Sequence, residues 1–398
     1  MPTVDAVIVG QGLAGTALAW TFIQRDIDFV LIDDGLPNTS SRIAAGLVTP
    51  ITGKRAVMSW AWEEAWGVAQ PFYSDIESKV DVSFWCVHPS LRLFESEAER
   101  ASIEPRLSHC DSGLVASFSP NKHGAESKGR NFMWDRLPAC HFQRDRLEAY
   151  PTNFPHDAKE TSDSSSFAHD FGGFVMRQSA RLDTPTYLNA SRIDFQTRNA
   201  CLSLSLDIPN DIECEHELIR IPKLDIETRK IIFCQGYVPE SNPWFPNLPL
   251  VPAQGDILKL DIPSLHESRT IHRGIWITPI RQSTLDATSS QYLVGSTYRW
   301  RPLDGLPSSA GRDEILSKLQ AWMKLPFEVV DHRSAIRPAS FDQRPLFGPS
   351  SQDPRVWVFN GLGAKGALLA PWCAQHLVAC LFDGVATPEI LRWDRRWS

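Results

Sequence analysis

Three glycines and an acid near the start of the chain have the spacing to do chemistry. Gly10, Gly12 and Gly15 lie in GQGLAG, and Asp33 follows at the end of the next apolar run. In GxGxxG spacing Gly10 permits a tight turn, Gly12 lets a pyrophosphate approach the backbone, and Gly15 lets helix and strand pack closely. Leu13 and Ala14 then open a helix whose unpaired N–H groups and positive dipole end suit phosphate. Asp33, with Asp34 beside it, stands where a carboxylate accepts hydrogen bonds from ribose hydroxyls. The chemistry is dinucleotide binding, and the motif alone does not separate FAD from NAD.

The elements around these residues must hold them in place. Val4 to Val9 is a short, β-branched apolar run, the mark of a buried parallel strand. ALAWTFIQRD carries helical periodicity to about Asp26, and Phe29 to Ile32 makes a second strand. The next segment, Ser40 to Arg55, contains Arg42, Ala44, Ala45 and Gly46. Its small side chains let backbone lie against a flat ring. Trp62 and Trp66 share one helical face, a stripe expected in a core. Lys230 to Gly236 reads as a strand leading to a cofactor-side turn at Gly236.

A second glycine-rich turn comes late. Val356 to Phe359 reads as a strand, NGLGAKG as a turn, and Ala367 to Phe382 as a helix interrupted at Pro371. The turn supplies Gly361, Leu362, Gly363, Ala364, Lys365 and Gly366, with Ala367 opening the helix. If that strand joins the first sheet, this helix points at the same crevice, and both ends of the chain grip one cofactor.

The middle is less regular. Leu91 to Phe94 reads as a strand, whereas NKHGAESKGR and KETSDSSSF are loop-like. Gly172 to Ala190 reads as strand, turn and a helix from about Pro185. Short alternating strands follow in LPLVPAQGDILKLDI, RGIWITPI and QYLVGSTYRW without helices between them. They predict an antiparallel sheet, hence an α/β lobe plus an α+β lobe.

At 398 residues the chain has room for two lobes. Hydrophobic residues at 42% and charged residues at 22% are ordinary globular usage, and no apolar run reaches the roughly 18 residues of a membrane span. The net charge of −7 disfavours a large nucleic-acid footprint. Eight cysteines without a CxxC pair, and no signal peptide, predict reduced thiols in a cytoplasm. His109-Cys110 and Cys140-His141 match no structural zinc spacing, so no metal is expected.

Taken together, the motifs resemble FAD-dependent oxidoreductases of the D-amino-acid oxidase and glycine oxidase superfamily. The resemblance rests on GQGLAG with Asp33, SRIAAGLVTP, PAQGD followed by ITP and VGST, and IRPASFDQRPLFGP followed by NGLGAKGALLAP. It implies a noncovalent FAD, a Rossmann-type lobe built from residues 1–80, 175–240 and 335–398, and an antiparallel-sheet substrate lobe from 81–174 and 241–334. It also implies oxidation of a C–N bond in an amino acid or related amine, with hydride passing to flavin N5.

Arg337 matches the arginine that binds the substrate carboxylate in such enzymes, and a planar guanidinium suits that task. Lys365 is positioned to stabilise charge on reduced flavin. Two positions depart from the family's pattern: Gln254 replaces a basic residue before Gly255, and Trp276 stands where several relatives carry tyrosine, leaving Tyr298 as the candidate partner. Oxygen, a quinone or another protein is equally compatible as electron acceptor. NGLGAKG also resembles a turn in the oxidase domain of a bacterial tRNA-modifying protein, so a tRNA-modifying oxidase is one alternative. A flavin-binding protein without turnover is another. An aromatic hydroxylase would need a further Gly-Asp signature that the sequence lacks.

Overall fold

In a computed structural model, which describes residues 3–107, 110, 113–118, 166–215, 217–238, 242–280 and 290–395, the chain builds two large sheets. The first has six strands in the order Cys201–Ser203, Phe29–Asp33, Ala6–Val9, Ile231–Phe233, Val356–Asn360 and Leu346–Pro349. Five run parallel and the last is antiparallel. Ala6, Val7, Ile8, Ile231 and Ile232 are fully buried, as strands covered on both faces require. The late strand thus joins the sheet begun at Ala6, with Ile231 paired to Val7 on one side and Val356 on the other.

Helices Leu13–Gln24 and Gly366–Phe382 pack on this sheet and against each other. The predicted break at Pro371 does not occur, and the helix runs unbroken through it. Proline has no N–H to give the carbonyl four residues back. The buried Tyr73 hydroxyl donates to that Ala367 carbonyl instead, at 2.9 Å. Tyr73 comes from helix Trp62–Val80, where Trp62 is buried and stacks on Trp66 at 5.1 Å, so the tryptophan stripe is core. The helix predicted near Pro185 spans Thr184–Thr197, and its N-cap Asp183 accepts from the Thr186 N–H.

The second sheet has eight strands, in the order Glu328–Arg337, Ala253–Asp261, Gln291–Gly295, Ile275–Pro279, Thr270–Arg273, Ser90–Leu93, Gly173–Met176 and Val115–Phe118. It is not wholly antiparallel: Thr270–Arg273 and Ser90–Leu93 run parallel. Ser90–Leu93 enters from a remote part of the chain, so no hairpin fixes its direction. Helix Ser309–Gln320 covers this sheet, and Leu258, Leu260, Ile271, Ile277, Ile315 and Leu319 form its core.

Gly173–Met176 and Glu328–Arg337 run through the expected lobe boundaries at 174/175 and 334/335. Trp85–Val87 pairs with Ala180–Leu182, which pairs in turn with Leu47–Val48, in a small sheet of its own. We therefore propose boundaries moved to about residues 88, 176 and 337. Among the described residues no helix is long and apolar enough to cross a membrane, and no cluster is arranged to hold a metal. Cys110, Cys201, Cys214, Cys234, Cys373 and Cys380 are not joined in disulfides, whereas His109, Cys140, His141 and the NKHGAESKGR stretch lie outside the described residues.

Candidate functional site

A crevice of about 590 Å³ runs along the carboxyl ends of the parallel strands and continues onto the second sheet. This is where open α/β sheets bind ligands. Of the residues expected around a cofactor, Gly10, Gly12, Leu13, Ala14, Asp33, Asp34, Arg42 and Ala44 to Gly46 line one wall. Gly236, Leu362, Gly363, Ala364, Gly366 and Ala367 line the other. Gly15, Gly361 and Lys365 are not among the lining residues.

Gly15 sits behind the crevice. A Cβ there would overlap the Gly10 carbonyl oxygen, so its absence lets the helix meet the turn. Gly10 has φ +105°, and a Cβ on it would lie 2.6 Å from the Cys234 carbonyl oxygen. Helix Leu13–Gln24 starts at Gly12 with no side-chain cap and no acid in its first turn. Helix Gly366–Phe382 likewise starts without a side-chain cap, at Lys365. The Leu13 N–H donates to Ser41 Oγ at 3.1 Å, and the other first-turn N–H groups of the two helices, with their dipoles, suit a diphosphate. The Lys365 side chain is half-buried outside the lining, and that burial pushes its pKa down.

Asp33 is held tightly. Its Oδ2 accepts from the Gln11 N–H at 2.8 Å, and its Oδ1 accepts from the Gly35 N–H and from Arg192 Nη1, each at 2.8 Å. Burial works against its charge, yet the Gln11 N–H, the Arg192 guanidinium and the Gly35 N–H outweigh it and hold the carboxyl below its ordinary range. Arg192 also donates to Gln11 Oε1 at 2.9 Å and Ser203 Oγ at 3.1 Å. Sequence reasoning missed Arg192 and Gln11. Arg192 sits on the helix Thr184–Thr197, far from the motif, and no local pattern marks it.

At the other end stands Arg337, partly buried at the close of its strand. Its guanidinium lies 4.5 Å from the Tyr298 ring centre, and among the described residues it makes one hydrogen bond, 3.4 Å to the Thr297 carbonyl. Burial pushes its pKa down, against the opposing pull of Tyr298 and Asp256, and an arginine so placed stays cationic. Trp276, Tyr298, Asp304 and Gly255 line the crevice around it. Gln254 is buried and ties down the segment that carries Tyr298: its Nε2 donates to Asp304 Oδ1 at 2.9 Å and to the Leu306 carbonyl at 2.8 Å. A basic side chain there could not also accept the Gly305 N–H, as the Gln254 Oε1 does at 3.0 Å.

The model of the family described as "FAD dependent oxidoreductase" matches residues 5–380. The chain belongs to that family. As an FAD-dependent oxidoreductase it has a relative in the bifunctional protein ThiO/ThiG of a Nostoc species, 22% identical over 97% of this chain and 54% of that protein. The MnmC protein of Psychrobacter cryohalolentis, described as acting in tRNA 5-methylaminomethyl-2-thiouridine biosynthesis, is 41% identical over 56 residues, 14% of this chain and 8% of that one. The chain thus spans about half the length, or less, of the curated relatives it matches. Glycine oxidase from Geobacillus kaustophilus has the same fold, with a TM-score of 0.70, 16% identity and coverage of 97% and 96% of the two chains.

The crevice fits FAD by its own features. It has two helix starts for a diphosphate, a fixed carboxylate for a ribose and small residues for a flat ring.

Proposed function

We propose that this FAD-dependent oxidoreductase oxidises the C–N bond of a small amino acid or related amine bearing a carboxylate. The observation that carries the reading is Arg337: a cation with a single long hydrogen bond among the described residues, in the same crevice as the turn at Gly10 to Ala14. In this reading Gly10 to Ala14 with Gly363, Ala364, Gly366 and Ala367 hold the diphosphate, Asp33 holds the ribose, and Ala44 to Gly46 lie against the ring, without a covalent link. Bound FAD supplies the two-electron oxidation of the donor carbon.

The chain's own residues bind and orient. Arg337 takes the carboxylate in a two-pronged grip, which leaves the amine-bearing carbon facing the small-residue wall. Tyr298 stacks on the guanidinium and limits its swing. The reaction requires no side-chain base, since the amine can lose its proton to water before oxidation. Water then hydrolyses the imine to a carbonyl compound, releasing ammonia from a primary amine or the smaller amine from a secondary one. Comparing turnover of glycine, sarcosine and proline with amines of the same shape lacking the carboxylate tests the reading. A preference for the carboxylates that vanishes in Arg337→Leu supports it, and equal turnover of both classes sinks it.

The short match to MnmC favours a second reading, in which the amine is part of a modified tRNA nucleoside. A net charge of −7 opposes it, because RNA phosphates need a cationic track. Salt-sensitive binding of tRNA would support that reading over the first.

A further inference from the structure

The strands Ala253–Asp261 and Glu328–Arg337 pair with Ala253 opposite Arg337 and Gly255 opposite Ala335. Gly255 is therefore the diagonal neighbour of Arg337 on one sheet face. The Arg337 side chain fills the place where a side chain at 255 would stand. A Cβ built on Gly255 would lie 2.6 Å from Arg337 Cζ and closer still to both Nη atoms, which are the three nearest atoms to it. Gly255 has no positive φ, so turn geometry does not require glycine here. Its neighbours Gln254 and Asp256 point to the opposite face, as alternation in a strand dictates. Both are buried.

Gln254 holds Asp304, Gly305 and Leu306. Asp256 accepts from Thr297 Oγ1 at 3.1 Å, the Ser308 N–H at 3.1 Å and His332 Nε2 at 2.9 Å. Gln254 and Asp256 thus fasten the segment 297–308 from behind, and that segment brings the Thr297 carbonyl and the Tyr298 ring to the guanidinium.

We infer that Gln254-Gly255-Asp256 is the element that positions Arg337, with Gly255 a specificity-determining residue: its missing side chain is the seat of the guanidinium, and hence of the substrate carboxylate. The inference rests on the carboxylate-binding role proposed for Arg337. A methyl group at 255 displaces the guanidinium into the crevice without touching the turns at Gly10 or Gly363. Any residue larger than glycine at 255 then selects against small α-amino acids while leaving amines without a carboxylate unaffected.

The experiment titrates the FAD-loaded protein with acetate and benzoate and follows the change in the flavin visible spectrum, in Gly255→Ala, Arg337→Leu and the double variant. The expected result is about tenfold to hundredfold weaker carboxylate binding in Gly255→Ala. Arg337→Leu should be at least as weak, and the double variant no weaker than Arg337→Leu, because both changes act through one group. Undiminished binding in Gly255→Ala beside weakened binding in Arg337→Leu overturns the inference and keeps the carboxylate role of Arg337. Undiminished binding in Arg337→Leu overturns both. A merely structural part for Gly255 would show as additive losses in the double variant. If Gly255→Ala loses its flavin, recovery of flavin in Gly255→Ala combined with Arg337→Ala upholds the steric coupling, and no recovery refutes it.

Discussion

The two ends of the crevice treat their charged residues in opposite ways. At the nucleotide end Asp33 accepts three hydrogen bonds, and its partner Arg192 is itself bonded to Gln11 and Ser203. At the substrate end Arg337 has a ring contact and one long hydrogen bond among the described residues. In the proposed function the first end is organised in advance for a ligand that stays, and the second keeps most of its donors for one that comes and goes, at the cost of burying a guanidinium.

The contrast can be broken most completely at Gly15. A valine there drives its side chain into the Gly10 carbonyl, and the protein is expected to purify without flavin, read from its visible absorbance. Flavin at full occupancy would show that the turn tolerates the change. Arg337→Leu comes next: losing two charge-assisted hydrogen bonds should raise KM for a carboxylated amine about a hundredfold, with FAD retained. Loss of FAD in that variant would erase the distinction between the ends.

A smaller effect is expected from Asp33→Asn, about tenfold weaker FAD binding by flavin fluorescence. The pH dependence has the same origin. The Asp33 carboxyl is held below its ordinary range, so its contribution is present above about pH 4 and is lost as pH falls through the lower folded value. Acid unfolding, followed by tryptophan fluorescence, should therefore lose part of its pH dependence in Asp33→Asn. Least affected is Tyr298→Leu: the ring is 52% exposed, and a cation–π contact at such a site is worth about 0.5–1 kcal/mol, a few-fold in KM.

The same contrast explains what the sequence makes legible. Gly10, Gly12, Gly15 and Asp33 belong to one continuous strand–turn–helix–strand unit, so their spacing is dictated by local geometry and can be read in order. The late turn is legible for the same reason. Arg192, Gln254 and Asp256 act through partners far away in the chain, and nothing in their immediate neighbours distinguishes them from ordinary polar residues. Arg337 is found through a family resemblance, whereas its seat on Gly255 appears only once two strands are in register. Pro371 misleads because the donor that replaces its N–H comes from another helix. The parallel pair in the second sheet is hidden because its strands come from distant segments.

The most direct measurement is the visible spectrum of the FAD-loaded protein without oxygen, recorded as glycine, sarcosine, proline and a panel of D- and L-amino acids are added in turn. At least one carboxylated amine should bleach the flavin, and the same compound should fail at equal concentration in Arg337→Leu. A flavin that dithionite reduces but no member of the panel does would contradict it.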